Sequence, residues 1–163
     1  MTGKFATQTT VPVEKTKADI EVVMRRYGAT SFASGWDQER AFIQFDCKER
    51  RLRFLMNLPN PSDEQFTTYR RSPQGNLLSR TPDAASGLWE QACRSKWRSL
   101  LLVIKAMLEA VEAEIVSFED AFSPYMVLPN GSSVADWIGP QIAAAYSTGK
   151  MPPMLALGPS TKD

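Results

Sequence analysis

Between Trp89 and Ile115 the chain repeats apolar residues at the spacing of one helix face, and no other segment restricts the fold as tightly. At about 100° per residue, Trp89, Cys93, Trp97, Leu101, Ile104, Leu108 and Ile115, joined by Leu100, Met107 and Val111, fall within an arc of about 120°. A helix running from near Asp83 to near Ile115 would be about 45 Å long. Both tryptophans of the stretch "WEQACRSKWRSLLLVIK" therefore belong to a core stripe that needs a broad apolar surface to cover it. Arg94, Arg98 and Lys105 form a second stripe beside it, where Glu90 stands four residues before Arg94 and can pair with it. Leu102 and Val103 lie off the main arc, which makes the helix apolar nearly all round and predicts either a central position or a homo-oligomer interface.

The front half supplies such a surface. "FATQTTVPV", Phe5 to Val13, alternates over Thr9, Val11 and Val13 and predicts an edge strand, since Pro12 cannot donate to a ladder. "TKADIEVVMRRYG" predicts a helix capped near Thr16, with Ile20, Val23, Met24 and Tyr27 on one face and Gly28 as its stop. Three strand candidates follow: "TSFASGW", "RAFIQFDCK" and "RLRFLMNL". Ala41, Ile43, Phe45 and Cys47 alternate against Gln44, Asp46 and Lys48, and Leu52, Phe54 and Met56 alternate against Arg51 and Arg53. A tight turn near Glu49 joins the last two into a hairpin with one apolar face. The expected architecture is α+β: a β-α-β-β-β antiparallel sheet packed by the long helix, with a helical C-terminal section, in a single domain over residues 1–150.

Residues 59–84 contain four prolines and no lasting period, which predicts a long irregular loop. Further on, Ser117 and Ser133 stand at cap positions, Asn130-Gly131 marks a turn, and Gly149 ends a helix through Trp137, Ile138, Ile142 and Tyr146 that Pro140 should kink or split. The tail 151–163 is expected to be irregular, with Met154, Leu155 and Leu157 free to dock on a neighbour.

The overall balance of 19 basic and 18 acidic residues hides an asymmetry. Residues 1–105 hold 17 basic and 11 acidic residues, whereas residues 106–163 hold 2 and 7. A basic front can hold a polyanion, or simply pack against an acidic back. Cys47 and Cys93 are too far apart for a CxxC pair and read as buried thiols in a reducing, cytoplasmic setting. "MTGKFATQTT" lacks the apolar segment of a signal peptide, and no run is long enough to span a membrane.

There is no histidine, which removes Ser-His-Asp and Cys-His catalysis and every His-containing zinc site. "STGK" at Ser147 to Lys150 fails as a phosphate loop, because Ala144 and Met151 stand where a glycine and a hydroxyl residue are required. Asp37, Asp46 and Lys48 weakly resemble the Asp…Asp-x-Lys arrangement of restriction-like nucleases, but a solvated cross-strand cluster of Asp46 and Lys48 with Arg51 and Arg53 explains the strand pair without catalysis. No cofactor or metal is expected.

The stretches "TVPVEKTKADIEVVMRRYGA", "WEQACRSKWRSLLLVIKAMLEAVEAEI" and "VLPNGSSVADWIGPQIAAAY" resemble a family of uncharacterised proteins of tailed phages and prophages. The resemblance covers most of the chain and implies a bacterial host cell, with a role in phage DNA metabolism or in countering host defence. The element order is also similar to double-stranded-RNA-binding domains, without their motifs, and more loosely to phage single-strand annealing proteins.

Together these readings predict a non-enzymatic binding protein. Nucleic acid is the first expected partner, its phosphates held by Arg51, Arg53, Arg70, Arg71, Arg80, Arg94 and Arg98, with Phe66 and Tyr69 stacking on bases. The alternative is a counter-defence protein that binds a host immune protein or sequesters a signalling nucleotide through the same residues.

Overall fold

The computed structural model describes residue 6, residues 8–37 and residues 39–150. Helix α1 (Val13–Arg26) leads into strands β1 (Ser31–Trp36), β2 (Arg40–Cys47) and β3 (Arg50–Asn57). A short helix α2 (Glu64–Thr67) and two small strands, β4 (Thr68–Arg70) and β5 (Leu77–Ser79), precede the long helix α3 (Pro82–Glu112). The chain closes with α4 (Phe118–Phe122), a 3-10 turn (Ser123–Tyr125) and α5 (Val134–Thr148). The class is α+β, as the apolar periods require.

The main sheet is antiparallel in the order β1-β2-β3. Its register pairs Phe45 with Leu52 and Ile43 with Phe54, so the apolar sets of both strands fall on one face. Ile20 and Met24 from α1, Trp97, Leu101, Ile104 and Leu108 from α3, and Phe118 and Phe122 from α4 cover that face in one continuous core. The ring of Phe54 stacks on Tyr125 at 4.0 Å and meets Phe122 edge-on. Lys48 and Glu49 turn the β2–β3 hairpin with φ of 49° and 61°, the left-handed pair that a two-residue turn between twisted strands needs.

Three expectations are corrected. Among the described residues no strand precedes α1, so the order is α-β-β-β-α in place of β-α-β-β-β. Gln91 Nε2 and Ser95 Oγ donate to the carbonyls of Thr9 and Ala6, each at 2.8 Å, so this segment lies along α3 instead of adding to the sheet. Phe5 lies outside the described residues. The stretch 59–84 is only partly irregular: Phe66 is buried and anchors α2, and Tyr69 pairs with Leu78 in a small hairpin.

The third correction concerns Ile115, which is 74% exposed and off the core stripe. Helix α3 ends three residues before it: Ile115 N donates to Ala110 O and Glu114 N to Val111 O, a Schellman closure that puts Glu114 at φ 56°. Helix α5 runs through Pro140 without splitting, opened by a capping box between Ser133 and Asp136 and stopped by Gly149 at φ 66°. Leu102 and Val103 are exposed on the outer side of α3. The tail 151–163, with Met154, Leu155 and Leu157, lies outside the described residues.

Candidate nucleic-acid interface

Strand alternation places Arg51 and Arg53 on the outer face of the sheet, as expected, and there each is already engaged. Arg51 grips the Asp46 carboxylate with Nε at 2.9 Å and Nη2 at 3.2 Å, while Ser31 Oγ donates to the same carboxylate at 2.7 Å. The Arg51 hydrogen bond, then that of Ser31, holds the Asp46 carboxyl below its ordinary range. Arg53 Nη2 donates to Gly131 O in the loop that crosses the edge of β3. These contacts use guanidinium donors that a phosphate would need.

The arginines of α3 are committed in the same way. Arg94 donates to Gln91 Oε1 at 2.8 and 3.2 Å and lies 3.6 Å from Glu90. Arg98 donates to Asp19 Oδ2 on α1 at 3.1 Å. These four arginines thus have partners within the fold, for three of them a carboxylate: Asp46, Glu90 and Asp19.

The other three share one small unit. Hairpin β4–β5 pairs Tyr69 with Leu78 and Arg70 with Leu77, and Arg80 N donates to Thr67 O at its base. The Arg80 guanidinium lies 5.2 Å from the Tyr69 ring centroid, and its Nε is buried with no hydrogen-bond partner among the described residues. Tyr69 therefore offers at most one free ring face. Arg70 Nη1 donates to Gly75 O at 2.7 Å, bracing the turn, and Arg71 is exposed with no ion-pair or hydrogen-bond partner among the described residues. Residues 68–81 hold these three arginines and no carboxylate. Phe66 is 5% exposed and packs, so it does not stack on a ligand.

The nuclease-like residues are not brought together. Asp37 accepts the backbone N–H groups of Glu39 and Arg40 at one end of β2 and Asp46 sits near the other, about 20 Å away at 3.3 Å per residue. Among the described residues no group of three His, Cys, Asp or Glu could hold a metal ion, and no helix is long and apolar enough to cross a membrane. Cys47 and Cys93 are buried free thiols, both pushed up in pKa by burial.

A feature that sequence reasoning missed is a cleft of about 1070 Å³ between α1, the first half of α3 and the end of the sheet. Trp36 stands at it, 72% exposed, and Trp89 and Trp97 line it. The one signal in the sequence was Trp36 itself, an indole at a strand end followed directly by the charged run "DQER". No family model, no curated protein and no solved structure matches the chain.

Proposed function

We propose that the protein is a non-enzymatic nucleic-acid-binding protein that holds the phosphate backbone through the β4–β5 hairpin. The observation that carries this reading is the charge of residues 68–81, three arginines without a carboxylate, whereas Arg51, Arg94 and Arg98 each face one in Asp46, Glu90 and Asp19. Arg71 makes the outermost contact, Arg70 and Arg80 flank it, and the open face of Tyr69 stacks on a base. Under this reading the protein serves phage DNA metabolism in a bacterial cell, as the resemblance of its sequence implies. Arg70→Ala combined with Arg71→Ala should abolish binding of a labelled oligonucleotide, while Arg51→Ala should leave most of it. The reverse order of effects would move the site to the sheet.

A second reading, contact with a host defence protein, is favoured by α5. None of its residues is buried, Tyr146 is 89% exposed, and its one charge, Asp136, is used in the capping box. Self-association through Leu102 and Val103 on the outer side of α3 belongs to the same reading. It predicts that Ile142→Glu abolishes partner binding and leaves oligonucleotide binding intact.

A further inference from the structure

The geometry points to the cleft beside Trp36 as a docking site for an extended, arginine- or lysine-bearing segment of a partner protein. The site shares no lining residue with the β4–β5 hairpin. Its volume, about 1070 Å³, is at the upper end of sites that enclose small molecules and has room for several residues of extended chain.

Three tryptophans meet there under different constraints. Trp97 is buried and forms the floor. Trp89 is fixed by its Nε1, which donates to Pro59 O at 2.7 Å. The Trp36 indole is exposed and makes no hydrogen bond among the described residues, and the core gains little from an indole left so far in water. A ligand that covers it accounts for that exposure. The chain itself already makes the kind of contact required, since Lys17 Nζ lies 4.9 Å from the Trp97 ring centroid.

Charge decides the sign of the ligand. Each cation on the cleft wall is engaged: Lys17 over Trp97, Arg94 with Gln91 and Glu90, and Arg40 within 3.9 Å of Asp37. Glu14 and Glu39 are exposed carboxylates with no ion-pair partner among the described residues. Of the cleft-wall charges without an ion-pair partner among the described residues, two are negative, Glu14 and Glu39, and one is positive, Lys17, so the balance favours a cationic ligand. A guanidinium or ammonium meets an exposed indole in a cleft that also carries the Glu14 and Glu39 carboxylates, the combination that binds organic cations.

The backbone favours an extended ligand. Trp36 ends β1, whose outer edge pairs with no strand among the described residues. The strand "SFASGW" carries neither charge nor proline, the usual protections of an open edge. Trp36 is the β1 residue that lines the cleft, so an extended segment leaving the cleft there could continue along this edge and gain main-chain hydrogen bonds.

Two ten-residue peptides of matched length, one with three arginines and one with three glutamates, test this by titration against the full chain with tryptophan fluorescence and calorimetry. The arginine peptide is expected to bind and change the emission, and the glutamate peptide to do neither. Trp36→Ala should weaken binding about tenfold with an unchanged circular dichroism spectrum, and Glu14→Gln with Glu39→Gln should do likewise. Trp36→Phe, which keeps a ring, should retain most of the affinity. Absence of binding, equal binding of both peptides, or undiminished affinity in folded Trp36→Ala would overturn the proposal.

Discussion

Arg98 on α3 donates to the Asp19 carboxylate on α1 across 3.1 Å, and Lys15 holds the other carboxylate oxygen at 3.0 Å. An arginine that looks available for a ligand on a helical wheel is thereby a tie between two helices that cover the sheet. The Lys15 hydrogen bond, with help from Arg98, keeps the Asp19 carboxyl below its ordinary value of 3.8.

That depression sets the direction of the acid response. A carboxyl whose folded value lies below its unfolded one adds stability that is fully present above the unfolded value and is lost as pH falls through the folded value. Asp19, Asp37, Asp46 and Asp136 all shift down from 3.8, so their contribution should be complete at neutral pH and fall away below pH 3.8. Urea midpoints measured from neutral pH down to about pH 3 should show this fall. Asp19→Asn should flatten it on the acid side, and an identical acid response in the variant would contradict the assignment.

Glu114 occupies the left-handed position that closes α3, where glycine carries no steric penalty. Glu114→Gly is expected to raise stability by about 1 kcal/mol and Glu114→Val to lower it, as read by urea unfolding with an unchanged slope.

Neighbouring positions on α3 should respond very differently. Ile104 is fully buried under the sheet, so Ile104→Ala should cost about 2–5 kcal/mol. Val103, one residue earlier and exposed, should tolerate alanine with a change of about 0.5 kcal/mol or less. Comparable losses at both positions would mean that the outer side of α3 is covered in solution, as self-association requires.

The buried thiols give a simple check of the core. Burial pushes Cys47 and Cys93 up and away from the reactive thiolate form. An aromatic disulfide reagent at neutral pH should modify Cys47, a member of the core cluster, only after denaturant is added, whereas Cys93 lines the cleft and should react first of the two. Rapid modification of Cys47 in the native chain would contradict its placement.

The α3 stripe and the β2–β3 alternation were legible because each is a local period repeated often enough to stand out: Trp97, Leu101, Ile104 and Leu108 on one, Ile43, Phe45, Leu52 and Phe54 on the other. Strands β4 and β5 are three residues each, too short to show any period. The apparent strand before Pro12 showed that alternation alone does not ensure a pairing partner, because α3 side chains satisfy its carbonyls. The candidate site was the least legible part. Arg98 and Arg53 meet partners 79 and 78 positions away, so whether an arginine is free depends on tertiary contacts that no local pattern reports. Trp36 escaped notice for the same reason, since its exposure is set by the packing of α1 and α3 around the sheet end.

The most direct measurement is fluorescence anisotropy of labelled single-stranded and duplex oligonucleotides at about 50 and 200 mM salt. Contact through the three hairpin arginines predicts that affinity falls about 20-fold for single strands and about 40-fold for duplex over that range, and that Arg70→Ala with Arg71→Ala removes the binding. A fall of about 1000-fold for single strands would require all seven arginines and the loss of their internal pairs. No binding at the lower salt, or binding indifferent to salt, would contradict the proposed function.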